Sequence, residues 1–260
     1  MKLEQYIKLI LVGMMGGLIS SLFGVGGGII FVPAFNSILG LDMKKSIGTS
    51  LTCIVPISII SAYAHYIRLH EHFPWQETTF LAIAAVLAAQ IGVYLVHKLR
   101  STALMYIFSI YLILTCFKIL FFPAIEHSPQ QHFLPSTSIM VAIGSVTGLL
   151  SSLLGIGGGV VIVSSLNGFF GTDMILSVTL SLLVIVPTTL SGFLGHLRRD
   201  NIEWKFIAPI VIPALFFAYL GVGLSYKLGS DTLKYLFCSF AIFISIRLIL
   251  KARSGHGKHA

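Results

Sequence analysis

Residues 9–41 contain no Asp, Glu, Lys or Arg, and this uninterrupted stretch of 33 residues is the strongest restriction on how the chain can fold. Crossing the hydrocarbon layer takes about 20 apolar residues as a helix. One straight helix over the whole stretch would reach about 50 Å at 1.5 Å per residue, well past the roughly 30 Å of hydrocarbon. Its middle reads Phe23-Gly24-Val25-Gly26-Gly27-Gly28, and glycines at that density break helices. An interrupted helix is therefore expected. The basic start at Lys2 and Lys8 resembles a secretory leader, but no Ala-x-Ala-like cleavage site follows and the apolar run continues, so a first membrane segment is expected instead.

Further charge-free stretches cover residues 46–67, 78–97, 101–117, 127–172, 174–197, 206–226 and 235–246. Only 10% of the chain is charged, against about 25% in an ordinary soluble domain, and the mean hydropathy is +0.94. No stretch alternates with period two at barrel length, and helices are the other way to satisfy a backbone in lipid. The expected fold is all-α: a polytopic integral membrane protein of about seven or eight hydrophobic helical segments, with the lipid bilayer as its surroundings. The net charge of +8 does not imply a nucleic-acid partner, because the 17 Lys and Arg stand singly or in pairs between apolar runs. Cys53, Cys116 and Cys238 lie apart inside apolar runs and are expected as small buried side chains rather than a disulfide or metal site. No metal or other cofactor is implied.

Sliding the chain by 131 residues aligns its halves without gaps: between 13–68 and 144–199, 23 of 56 positions are identical. The matches include polar residues, among them Ser20/Ser151, Ser21/Ser152, Asn36/Asn167, Asp42/Asp173, Ser50/Ser181, Pro56/Pro187, His65/His196 and Arg68/Arg199. All four glycines of 24–28 recur as Gly155, Gly157, Gly158 and Gly159. The expected organisation is a first membrane repeat over 1–123, an inter-repeat loop over 124–138 carrying Pro129 and Pro135, and a second repeat over 139–260. If each glycine segment crosses once, the repeats are parallel and the basic residues divide 11 to 6 between the two sides; if each re-enters as a hairpin, the repeats are inverted and the division is 13 to 4. The positive-inside rule favours the second arrangement, with both termini cytoplasmic.

Duplicated halves with interrupted helices at matching positions point to a transporter's binding site. A break leaves unpaired N–H groups and partial positive charge at the start of the following half-helix, and glycine lets an oxyanion approach that backbone closely. Gly24, Gly26, Gly27 and Gly28 with Gly155, Gly157, Gly158 and Gly159 are the candidate substrate-binding residues. Ser20, Ser21, Ser151 and Ser152 are candidate hydroxyl donors, and Asn36 and Asn167 candidate amide donors. Glycine can instead serve close helix packing. His65 and His196, each three residues before Arg68 or Arg199, are read either as proton carriers or as anchors at a helix end near headgroups. Pro33, Pro56 and Pro187 are candidate hinges, Gln90 a helix–helix hydrogen bond, and Trp75 and Trp204 interfacial belt residues. No carboxylate falls inside a span, which disfavours a metal-cation cage and suits an anionic cargo.

Ser-Ser-Leu-Phe-Gly-Val-Gly-Gly-Gly-Ile-Ile-Phe-Val-Pro at 20–33 and Ser-Ser-Leu-Leu-Gly-Ile-Gly-Gly-Gly-Val-Val-Ile-Val at 151–163 resemble the TauE/SafE sulfite exporter family, also called toluene-sulfonate uptake permeases. The resemblance implies a bacterial inner-membrane permease for sulfite, sulfonates or related organic anions. It carries over onto Gly24, Gly26–Gly28, Pro33, Gly155 and Gly157–Gly159, with Ser164 departing where Pro33 stands in the first copy. An anion channel and an intramembrane enzyme are the alternatives. The enzyme would require a nucleophile and base together at depth, and the serines have no His within the same half-motif.

Overall fold

A computed structural model describes residues 3–69, 73–95, 101–121 and 135–256. The helices are α1 (Leu3–Phe23), α2 (Gly28–Leu39), α3 (Met43–Tyr66), α4 (Trp75–Leu95), α5 (Ser101–Phe121), α6 (Thr137–Leu154), α7 (Gly159–Phe170), α8 (Met174–Leu197) and α9 (Ile207–His256). A 3-10 turn at Trp204–Phe206 leads into α9, which has two arms because Gly229 (φ 73°, ψ 164°) interrupts it. Six of the described helices are long and apolar enough to cross a membrane. This is the all-α polytopic fold expected from composition. Residues 124–134 of the expected linker lie outside the described residues, and α6 begins at Thr137, inside the stretch assigned to it.

The outer helix α4 buries small side chains and turns several large apolar ones outward, whereas α2, α3 and α8 bury large ones such as Phe31, Leu51 and Ile185. On α4, Ala85, Ala88, Ala89 and Gly92 are buried, while Ile83, Leu87 and Ile91 are more than half exposed. Small residues permit close helix approach in lipid, and lipid tails solvate the large ones. Gly13 and Gly17 of α1 rest on the carbonyls of Ile210 and Ala214, so α1 runs parallel to the first arm of α9. Gly144 and Gly148 of α6 rest in the same way on Leu81 and Ala85 of α4. The halves are thus interleaved: each repeat's first helix packs on the other's fourth segment.

The glycine segments turn back rather than cross. The Phe31 ring of α2 lies against Gly16, and Gly27 sits beside the Gly16 carbonyl, so α2 returns alongside α1. Gly158 similarly lies beside the Thr147 carbonyl, folding α7 back along α6. The equivalent helices α3 and α8 are antiparallel: Gly192, late in α8, meets Leu51, early in α3, and Gly48 meets Asn201, just beyond α8. Antiparallel equivalents make the repeats inverted. The α1–α2 hairpin enters from the side where the chain begins, here the near side, and the α6–α7 hairpin enters from the far side. The near side joins the starts of α3 and α9 through Lys45, which is hydrogen-bonded to Glu203 and holds that carboxyl below the usual range. On the far side Ser230, next to the Gly229 break, donates to Asp173.

The repeated aspartates are helix caps: Asp42 accepts from Lys45 N at 2.8 Å, and Asp173 from Ile175 N at 2.9 Å and Leu176 N at 3.1 Å. Beyond Arg68/Arg199 the register of the repeat changes from 131 to 129, because the loop after α3 is two residues longer than the one after α8. The new register pairs Trp75 with Trp204, Gly92 with Gly221 and Lys118 with Arg247.

Single cysteines replacing the exposed Lys44 and Asp231 are expected to react with impermeant maleimide from opposite faces of sealed vesicles. Reaction of both from one face would contradict the inverted topology. The native thiols are buried and give little background. Gly17→Ala or Gly148→Ala, whose new Cβ would lie within 2.1 Å of a backbone carbonyl oxygen, is expected to cost about 1–3 kcal/mol, read as a lowered melting temperature in detergent.

Candidate functional site

The two hairpin tips meet at the centre of the molecule. Gly24, Gly26 and Gly27 have φ of 65°, 77° and 80°, and Gly155, Gly157 and Gly158 repeat them at 67°, 84° and 77°. Side chains rarely adopt that left-handed backbone, so glycine is required by conformation. Gly28 and Gly159 have ordinary helical backbone and are required by space. A Cβ on Gly28 would lie 2.2 Å from the Gly155 oxygen, and one on Gly159 would lie 1.9 Å from the Gly24 oxygen. The tips therefore cross backbone against backbone. Ser50 Oγ donates to the Gly155 carbonyl at 3.2 Å and Ser181 Oγ to the Gly24 carbonyl at 2.7 Å, two equivalent bonds tying each tip to the other repeat's crossing helix.

This crossing brings the starts of two half-helices side by side. α2 and α7 begin at the tips, and their capping residues, Gly27 and Gly158, bring no side-chain acceptor. Among the described residues, the N–H groups of Gly28 and Ile29, and of Gly159 and Val160, find no acceptor in the chain. Four unpaired donors at depth are costly unless a ligand or water takes them. Both helix dipoles add partial positive charge there. Ser20 and Ser151 Oγ are also buried without a partner, Ser151 packing beside Gly158.

A cavity of about 380 Å³ leads from this point along α2 to the near side. Gly28, Ile29, Leu154 and Ile156 line its inner part; Asn36, Ser37 and Met43 line the outer part, with Arg247 of the second α9 arm. Arg247 is exposed and has no hydrogen bond or ion pair among the described residues. No carboxylate lines the cavity.

Other candidates named from the sequence have mainly structural placements. Asn36 and Asn167 each donate an amide hydrogen bond to a carbonyl five residues on, Leu41 and Thr172, both at 2.8 Å, closing the turns after α2 and α7. Asn36 still borders the cavity, whereas Asn167 is buried. Ser21 bonds within its own helix to Gly17 O and faces Gly221; Ser152 lies against Gly92. Both turn away from the tips. His65 and His196 are fully buried, so neither imidazole sits at a headgroup surface. His65 Nε2 lies 2.9 Å from the Ser21 carbonyl, which makes it the protonated nitrogen and leaves Nδ1 bare. Arg68 stacks near Tyr219 and Tyr226, while Arg199 donates to the Val93 carbonyl at 2.7 Å. Pro33 is inside α2, and Pro56 and Pro187 are inside α3 and α8, two residues past Ile54 and Ile185, which pack behind Gly26. Gln90 donates to Ser191, joining α4 to α8.

Arg247 is the site residue that sequence reasoning missed. Its one signal was the 129-residue register, hidden by the two-residue loop difference.

Inverted repeats, broken helices and a cavity reaching the breaks are features found in membrane transporters. The sequence profile of the family described as Sulfite exporter TauE/SafE matches residues 7–248, and the chain belongs to that family. It is a multi-pass membrane transporter. It is 24% identical to the "Probable membrane transporter protein YunE" of Bacillus subtilis, over 94% of this chain and 97% of that protein. It is 27% identical to proteins with the same description from Methanocaldococcus jannaschii, over 93% of this chain and 94% of the relative, and from Haemophilus influenzae, over 93% and 97%. No solved structure matches the chain.

Ser50→Ala and Ser181→Ala are each expected to lower stability by about 1 kcal/mol, the net worth of one internal hydrogen bond, measured by thermal unfolding in detergent. Unchanged melting in both would show that the ties between the tips carry no load.

Proposed function

We propose that the protein is a secondary permease for small anions, with sulfite, sulfonates or related organosulfur anions as cargo, bound where the two hairpin tips cross. One observation carries this reading: the uncapped N-terminus of α2, which crosses the uncapped start of α7 at the tips, opens on the inner end of a cavity whose lining includes an arginine and no carboxylate. A sulfonate or sulfite presents three oxygens, which suits several N–H donors and one guanidinium. The family name supports a sulfur oxyanion in particular. Lipid surrounds the outer helices; the resemblance to the family supports a bacterial inner membrane, and the 13-to-4 division of basic residues supports a cytoplasmic near side.

Permease is favoured over the two alternatives. A carrier is expected to expose its site to one side at a time, and the cavity runs from the tips to the near side. An intramembrane enzyme needs an activated nucleophile, and the buried Oγ atoms of Ser20, Ser61, Ser151 and Ser152 have no hydrogen-bond partner among the described residues. His65, buried against the Ser21 carbonyl in the last turn of α1, and its buried counterpart His196 are the candidate carriers of a coupling proton.

Purified protein is expected to melt at higher temperature with sulfite or a short alkanesulfonate than with equal sodium chloride; saturation at 100 times Kd corresponds to about 2.7 kcal/mol. Gly27→Val is expected to insert normally yet abolish sulfite transport in proteoliposomes, because its φ of 80° excludes a branched side chain. Normal transport by that variant, or equal melting in all anions, would overturn the proposal.

A further inference from the structure

The inverted repeats are equivalent in fold but not in packing. On the near side, α2 stands away from the second arm of α9 and the cavity separates them. On the far side, the equivalent helices α7 and α5 are closed on each other. Met43 borders the cavity, but its counterpart Met174 is fully buried. Ser164, the counterpart of the half-buried cavity residue Pro33, is likewise 0% exposed. Ser37 is open, while its counterpart Gly168 leaves only 2.5 Å between a built Cβ and the Thr115 methyl.

The cations at equivalent positions follow the same division. Lys118 of α5 donates to the Phe169 carbonyl at the end of α7, at 3.1 Å, and its ammonium lies 5.0 Å from the Phe169 ring centre. There it satisfies a carbonyl left open at a helix C-terminus and meets the negative dipole end. Arg247, in the same place on the second arm of α9, reaches no such carbonyl and lines the open cavity. The counterpart of Phe169 is Ile38, near the end of α2. Tyr111 strengthens the far-side closure, its hydroxyl 3.0 Å from Ser164 Oγ and 2.7 Å from Ser165 Oγ. The near side has Phe240, Pro33 and Ala34 at those three positions and can form neither bond.

We propose that Lys118 and Arg247 are the paired gate cations of an alternating-access cycle, and that the structure is its near-side-open state. In this state Lys118 latches α5 to α7 and shuts the far side, while Arg247 is free to meet the incoming anion. In the opposite state α2 closes on α9, Arg247 latches onto the Ile38 carbonyl, and Lys118 is released to face the cargo. A cation that binds either an anion or a helix end couples occupancy to closure, since one side chain cannot do both. Tyr111 makes the far-side latch the stronger of the two, so the resting protein favours the near-side-open state. The anion-facing role of Arg247 rests on the anion proposal; the exchange of latches does not.

Cysteine accessibility tests the exchange without any substrate. Met43→Cys and Met174→Cys are placed singly in the full chain, reconstituted in sealed vesicles and treated with impermeant maleimide, with the parent protein as background. Met43→Cys is expected to react from the near side at least fivefold faster than Met174→Cys reacts from the far side. Adding Tyr111→Phe, which merely gives α5 the residue α9 already has, or Lys118→Gln, is expected to raise far-side labelling of Met174→Cys severalfold and slow near-side labelling of Met43→Cys. Lys118→Arg is expected to restore the parent pattern. Equal labelling of the two cysteines at the outset, or no change with either latch variant in protein that keeps its gel-filtration profile, would overturn the exchange. If labelling follows this pattern but no sulfur oxyanion is carried, the gates stand and the cargo assignment fails.

Discussion

Everything in this fold hangs from a contact in which no side chain takes part. Gly28 lies against the Gly155 carbonyl and Gly159 against the Gly24 carbonyl, so two hairpins from opposite sides touch through bare backbone. That closeness requires the left-handed glycines before it, because only a tight reversal lets each half-helix start at the tip. It also leaves the first N–H groups of α2 and α7 without partners among the described residues. The same geometry that makes the crossing possible therefore makes it hungry for acceptors. An uncharged backbone cradle for an anion is the consequence.

The inversion of the repeats follows from the same contact. A glycine segment that spanned the bilayer would leave α3 and α8 parallel, whereas Leu51 lies beside Gly192 and Gly48 beside Asn201. With the hairpins entering from opposite faces, each repeat needs the other to complete its tip, and Ser50 and Ser181 supply the reciprocal bonds. The interleaving of α1 with α9 and of α4 with α6 extends that dependence to the periphery, where glycine rests on carbonyl throughout.

Much of this was legible in the sequence, for identifiable reasons. A charge-free run too long for one span, with its twin 131 residues on, marked both hairpins, and the uneven division of basic residues marked their inversion. The tip glycines were legible because positive φ and missing Cβ space admit one residue type. Hydroxyl and amide groups were less legible, because such groups bond either backbone or ligand. Asn36 and Asn167 turn out to close turns, and Ser21 and Ser152 face neighbouring helices. His65 and His196 sit near helix ends in sequence but are sealed by packing against other elements, which no local pattern reveals. Arg247 read as one more topology-setting cation until tertiary structure placed it at a cavity.

Selenite is a heavier analogue of sulfite with the same three-oxygen face, and its anomalous scattering locates it without assumption. The most direct measurement is an anomalous difference map from crystals of the protein grown with selenite. The expected result is a peak between the tips, within hydrogen-bonding reach of the N–H groups of Gly28 and Ile29 and on the cavity side toward Arg247. Peaks confined to exposed lysines and arginines, with the crossed tips empty at saturating selenite, would contradict a backbone-built anion site.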